Sequence, residues 1–136
     1  MPTVNPVSQL LFDKGISPSV QRTAIMDYLM RYQSHPTVDE IYKSLSVSIP
    51  TLSKTTVYNT LTLFFSVGLI DCFQTDDGTM HYDATVIHHA HFKCRQCGKI
   101  FDLPFPIIDN PLIEDFEVDD IKVMYYGICK SCKQFC

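Results

Sequence analysis

Four of the six cysteines stand in two Cys-x-x-Cys pairs, Cys94/Cys97 and Cys129/Cys132, separated by a 31-residue span. A Cys-x-x-Cys turn aims two thiolates at one point, and two such turns complete the tetrahedral shell that a structural Zn²⁺ favours. Closing the span into a loop makes metal-binding free energy part of the folding free energy of this half. The competing chemistry is a set of disulfides in a small secreted domain. No apolar signal segment follows Met1, so zinc and a cytoplasmic location are the expectation.

A second donor set consists of histidines and carboxylates. His89 and His91 are two apart on an expected strand and leave the same face, with His88 on the other. Asp83 stands at the end of an expected hairpin, His35 at the junction of two helices, and Asp102 at the end of the strand GKIFDL. Three imidazoles and two carboxylates suit a borderline divalent ion such as Fe²⁺ or Mn²⁺ better than a thiolate site would. Taken alone, a His-x-His pair is as common on an ordinary surface as in a ligand set.

The elements that must position these donors change character near residue 84. Val7 to Phe12 form a short leading helix ended by Gly15. Ser17 and Pro18 open a helical segment in which Val20, Ala24, Ile25, Tyr28, Leu29 and Tyr32 recur at helical spacing, and Pro36 ends it at His35. Thr37 and Glu40 make a capping box for a second helix with Val38, Ile41, Tyr42 and Leu45 on one face, stopping before Pro50. Ser53 starts a third, with Val57, Leu61, Phe64 and Phe65 inward and Gly68 as its stop. From there the period becomes two: strands over 69–75 and 79–85 flank the turn residues Asp76, Asp77 and Gly78.

Three helices and a hairpin are the plan of a winged helix, whose third helix enters the major groove while the hairpin lies against the backbone. The outer face of that third helix carries Lys54, Thr55, Tyr58, Asn59 and Thr62, which can donate to phosphates or touch base edges. An ordinary solvated polar face is the alternative. Beyond residue 86, strands are expected over 88–94, 98–103 and 121–128, with a short helix at 110–115.

Charge does not choose the partner. Residues 1–75 hold five Lys/Arg and five Asp/Glu, and residues 76–136 hold six against ten, so the second part carries the net charge of −4. A strongly basic domain is the usual footprint of nucleic-acid binding, yet a neutral reader binds if its cations share one face and a dimer doubles them. The absence of a long apolar run argues against a membrane partner. Of the remaining cysteines, Cys72 alternates with Leu/Ile positions and reads as a small core residue, and Cys136 as a dispensable terminal one.

The segments SHPTVDEIY (34–42), TTVYNTL (55–61), HYD (81–83), HHAHFKCRQCGKIFDL (88–103) and CKSC (129–132), in this order and spacing, resemble the ferric uptake regulator family of repressors over most of the chain. The resemblance implies an α+β protein that is a repressor and not an enzyme: a winged helix-turn-helix DNA-binding domain over 1–84 and an α/β metal-binding dimerisation domain with a four-cysteine zinc site over 85–136. It implies a homodimer on a palindromic operator in double-stranded DNA. Carried over by position, it implies structural zinc on Cys94, Cys97, Cys129 and Cys132, and one regulatory Fe²⁺ or Mn²⁺ on His35, Asp83, His89, His91 and Asp102.

The peroxide-sensing branch of the family has two Asp in the five-ligand site where iron sensors typically present Glu, and both carboxylates here are Asp. The expectation is therefore a sensor that releases DNA when iron-catalysed oxidation modifies His35 or His89. An iron- or zinc-responsive repressor of the same family is the alternative, and a thiol redox module a remote one, since neither Cys-x-x-Cys pair sits in a βαβ setting. Thr62 stands where relatives often carry Arg, which turns attention to Arg22 and Lys54 as phosphate contacts. Pro104, Pro106 and Pro111 interrupt the segment where relatives carry a longer dimerisation helix, and the strand IKVMYYG lacks the donors of a further metal site, so two metals per chain are expected.

Overall fold

A computed structural model describes residues 5–85, 89–107 and 109–134, and divides the chain into two compact units, residues 1–86 and 87–136. The expectations for His88 and Cys136 lie outside the described residues.

The first unit opens with α1 (Pro6–Asp13), α2 (Val20–Arg31), α3 (Val38–Leu45) and α4 (Lys54–Ser66). Each start is fixed by a side chain that satisfies an otherwise orphaned amide of the first turn. Asn5 accepts from the Val7 amide at 2.9 Å, Ser19 from Arg22 at 3.1 Å, Thr37 from Glu40 at 3.2 Å and Ser53 from Thr56 at 3.0 Å. At the far end of α4, Gly68 takes a left-handed φ of +76° and the Leu69 amide reaches back to the Phe64 carbonyl at 3.0 Å, closing the helix. The core joins Val7 and Leu11 of α1, Ile25, Met26 and Leu29 of α2, Ile41 of α3, and Val57, Leu61 and Phe64 of α4 to Tyr82 of the hairpin that follows.

Three expectations for the helices need correction. α2 stops at Arg31 and not at His35, because the backbone turns extended at Tyr32 and then left-handed at His35. Val20 and Tyr32, at the two ends of the apolar series, are exposed, since a short helix buries only its middle turns. Phe65 is 47% exposed, and Thr60 takes the inward position beside Leu61 and Phe64; the apolar stripe of α4 is narrower than its composition suggests.

The hairpin comprises β1 (Asp71–Gln74) and β2 (Met80–Asp83), antiparallel with Phe73 opposite His81 and Asp71 opposite Asp83. Both strands are shorter than expected because the turn takes Thr75 to Thr79, where the Thr75 amide donates to the Thr79 carbonyl at 3.0 Å and Asp77 accepts from the Thr79 amide at 3.1 Å. Helices α2–α4 with β1–β2 form the winged helix. Cys72 is half-buried and packs against the core, as its alternation implies.

The second unit is a three-stranded sheet in the order β4–β3–β5, formed by β3 (Ala90–Cys94), β4 (Ile100–Leu103) and β5 (Met124–Gly127). β4 lies antiparallel to β3 across a tight turn, and β5 returns parallel on the other side. Strand bounds fall inside the expected ones. Among the described residues of segment 104–120 there is a 3-10 turn, Pro111–Asp115, capped by the Asn110 side chain on the Leu112 amide at 3.1 Å. A four-residue helix α5 (Lys130–Lys133), which periodicity does not reveal, places the last cysteine of the second pair. Among the described residues no helix is long and apolar enough to cross a membrane.

Candidate functional site

The parallel pairing of β3 with β5 decides the geometry of the cysteines. Its register sets Cys94 opposite Gly127, so the turn that follows β3 and the turn that follows β5 emerge side by side. The first turn is closed by Gly98, at φ +77°, whose amide donates to the Cys94 carbonyl at 2.9 Å. The second is closed by α5, where the Lys133 amide donates to the Cys129 carbonyl at 2.9 Å and Cys132 rides on the helix. All four Sγ atoms lie within 4.8 Å of one another, with Cys97 and Cys129 sulfurs 3.8 Å apart. Sulfurs about 2.3 Å from one tetrahedral ion stand about 3.8 Å apart, so the cluster fits Zn²⁺.

Backbone amides favour a thiolate at Cys94. The Cys94 Sγ accepts from the amides of Cys97 and Cys129, both at 3.4 Å, and these donors lower its thiol pKa to about 6. Cys132 is pushed up to about 12 by the sulfur of Cys129 first and by burial second. Four sulfurs this close cannot all carry charge without a cation among them, and a divalent ion resolves that repulsion by displacing the remaining protons.

The histidines and aspartates form two groups, one in each unit. In the second unit, β3–β4 pairing sets His91 directly opposite Asp102, and His89, two residues earlier, shares the face. The Nε2 atoms of His89 and His91 are 2.9 Å apart, and each lies near Asp102 Oδ1, at 3.3 and 3.5 Å. Two nitrogens about 2.1 Å from one ion and at right angles to each other stand about 3 Å apart. The spacing is that of neighbouring ligands, and the mix of imidazole and carboxylate suits Fe²⁺, Mn²⁺ or Zn²⁺.

In the first unit, His35 and Asp83 are brought together by the junction between α2 and α3 meeting the end of β2. Both are buried, at 5% and 4% exposure, with His35 Nε2 3.7 Å from Asp83 Oδ2. The other Asp83 oxygen accepts from the Thr85 amide at 2.8 Å, which fixes the carboxylate. A buried imidazole–carboxylate pair held this way is a second donor group of the same chemistry.

The outer face of α4 presents Lys54, Thr55, Tyr58, Asn59 and Thr62, all exposed. Thr62 Oγ1 donates back to the Tyr58 carbonyl at 3.0 Å, which leaves a methyl group and a lone pair outward. Lys54 lies 3.1 Å from Asp39 at the start of α3 and 5.8 Å from the centroid of the Tyr42 ring. Arg22, in the first turns of α2, donates to the Ser17 carbonyl at 2.9 Å and lines, with Gln21, Thr56 and Asn59, a polar groove of about 420 Å³ between α2 and α4. Sequence reasoning missed Asp39 as the partner of Lys54, and missed His81, whose Nδ1 lies 2.8 Å from the His35 carbonyl. One signal for His81 was available: it alternates with the core residue Tyr82 and so shares the face of Asp83.

Comparison with known proteins gives a consistent result. The model of the ferric uptake regulator family matches residues 13–132. The chain is 38% identical over 125 residues to the peroxide-responsive repressor PerR of Staphylococcus epidermidis, covering 88% of this chain and 83% of that protein. It is 36% identical over 124 residues to the repressor of the same name from Staphylococcus aureus, covering 88% and 84%. Among solved structures, PerR from Streptococcus pyogenes is 28% identical with a TM-score of 0.55, covering 96% of this chain and 95% of that one. A ferric uptake regulator from Francisella tularensis with iron is 25% identical with a TM-score of 0.68, covering 88% and 96%.

Proposed function

Because the chain belongs to the ferric uptake regulator family, we propose that it is a metal-dependent, peroxide-responsive transcriptional repressor that binds a palindromic operator as a homodimer. Its relatives are repressors, and regulation of transcription rather than catalysis is its work. The observation that carries the peroxide reading is the pairing of each histidine group with an aspartate: Asp83 beside His35 and Asp102 beside His89 and His91. The relatives named for peroxide response are 38% and 36% identical to it over most of their length.

The cofactors are structural zinc and a regulatory divalent ion, Fe²⁺ or Mn²⁺. Cys94, Cys97, Cys129 and Cys132 are the zinc ligands in this reading. For the regulatory ion, His35 and Asp83 supply donors from the first unit, and His89, His91 and Asp102 supply donors from the second. Five protein donors of this kind set a population of DNA-competent dimers against an incompetent one, and removing a donor shifts that balance. α4 then reads the major groove through Lys54, Thr55, Tyr58, Asn59 and Thr62, with Arg22 on a phosphate and two copies spaced for two half-sites.

When bound, Fe²⁺ would activate H₂O₂ by lending it an electron and taking it back, chemistry that Mn²⁺ would not supply. The net change would fall on the imidazole of His35 or His89, which would lose two electrons to the peroxide: one peroxide oxygen would enter at a ring C–H, and the other would leave as water. An oxidised imidazole is a poorer donor, so the DNA-competent state is lost.

The test uses full-length protein with its zinc retained and a duplex selected from a randomised palindrome pool by the Mn²⁺-loaded form. Fluorescence anisotropy should show loss of binding after a small dose of H₂O₂ in the Fe²⁺-loaded form and none in the Mn²⁺-loaded form. Mass spectrometry should place one added oxygen atom on the His35 or His89 peptide. Resistance of both forms would make the protein a sensor of metal availability, and loss in both would move the chemistry to the cysteines.

A further inference from the structure

We infer that His81 is a positioning residue for the metal donor His35, and that through it the wing strand β2 carries both donors of the first unit, His35 and Asp83, as one device. The inference rests on the reading of His35 as a metal ligand. His35 has a backbone φ of +59°, the left-handed value that glycine adopts readily and other residues uncommonly. Among the described residues it alone departs from negative φ without being glycine. Such a conformation persists only where the surroundings hold it.

Two hydrogen bonds from β2 do so. The His81 imidazole bonds the His35 carbonyl through Nδ1 at 2.8 Å, and the Tyr82 amide donates to the Pro36 carbonyl at 3.0 Å. A carbonyl oxygen has no proton to give, so Nδ1 of His81 is the donor and its tautomer is fixed. The Phe73 ring, opposite His81 in the hairpin register, stacks on the His81 imidazole at 5.4 Å and 15°. The same Phe73 ring meets the His35 ring edge-on at 5.8 Å and 68°. His81 is thus oriented by a ring on one side and spends its proton on the strained residue on the other. Two residues along β2, Asp83 is fixed by the Thr85 amide. Loops ordinarily carry a donor loosely; here the wing sets the angle at which His35 presents Nε2.

The experiment measures Mn²⁺ affinity of the zinc-retaining full chain by competition with a fluorescent chelator, alongside thermal unfolding. His81→Phe keeps a ring on Phe73 and removes the donor; His81→Asn keeps an N–H at the position of Nδ1. Loss of an outer partner of a metal ligand costs about 10–100-fold in affinity, so His81→Phe should weaken Mn²⁺ binding by that order and His81→Asn should recover most of it. In a His35→Ala background, His81→Phe should have a much smaller effect on Mn²⁺ affinity, because its route through His35 is then absent. Wild-type Mn²⁺ affinity in His81→Phe, or no recovery in His81→Asn, would overturn the inference. If His35→Ala alone left Mn²⁺ affinity unchanged, the ligand reading would fall first and this inference with it. An observation on the unaltered protein guards against misfolded variants: imidazole ¹⁵N correlation spectra should show His81 as the Nδ1–H tautomer, and the Nε2–H tautomer would refute it.

Discussion

The two units are held together by different physics. The first closes a continuous apolar core over α1 to α4 and the wing, with Leu11, Ile25, Ile41, Val57, Leu61 and Phe64 all but removed from water. Among the described residues of the second, the buried side chains are Ala90, His91, Cys94 and Cys129, while Leu112, Phe116 and Ile107 face solvent. A core of that size cannot by itself offset the conformational entropy of ordering roughly fifty residues. The second unit therefore depends on its zinc, whereas the first is stabilised chiefly by hydrophobic burial.

The sharpest way to break this contrast is to take the zinc away. Structural zinc contributes about 10–16 kcal/mol in small metal-dependent domains, so Cys97→Ser or a strong chelator should abolish the order of β3, β4 and β5 while the α-helical signal of the first unit persists. Amide exchange measured by NMR separates the two; retained protection at Phe92 and Tyr126 after zinc loss would show that the sheet stands without metal. The converse experiment is Phe64→Ala, which opens a cavity in the first core and should cost about 3–5 kcal/mol. Its thermal transition should fall while zinc content, titrated with a thiol reagent, stays unchanged; joint loss of zinc would tie the units together thermodynamically.

Smaller changes refine the picture within the first unit. Ser53→Ala removes the oxygen that caps α4 and should lower stability by about 1 kcal/mol, measured by urea unfolding; an unaltered midpoint would mean that the Ser53 bond is worth nothing in water. Smallest of all is the exposed Lys54–Asp39 pair, whose contribution to stability is about 0–1 kcal/mol. Its effect should appear on DNA instead: Asp39→Asn releases Lys54 to a phosphate and should steepen the salt dependence of operator binding, while Lys54→Ala or Arg22→Ala should flatten it by about one unit of slope. Equal slopes for all three would remove these cations from the interface.

Much of the site was legible in the linear chain because its chemistry is carried by short spacings. Two Cys-x-x-Cys pairs, His-x-His two apart on a strand, and helix starts at Thr37 and Ser53 all act within a few residues, so periodicity and side-chain type find them. Element ends were less legible. α2 stops at Arg31, well ahead of the proline that should stop it, because the junction must turn left-handed at His35. Phe65 faces water because Val57, Thr60, Leu61 and Phe64 already fill the inward side of α4.

The sequence by itself marked the two Cys-x-x-Cys pairs, the His-x-His pair and the helix starts at Thr37 and Ser53, since these depend on local covalent spacing. Only tertiary structure decided that the two Cys-x-x-Cys turns lie side by side, through the parallel register of β5 on β3, and that Asp102 faces His91 across β4. It also decided that His35 is held by His81, 46 residues away. Those are pairings across long stretches of chain, chosen by which hydrogen-bond ladder and which buried face form together, and no local pattern of residues encodes them.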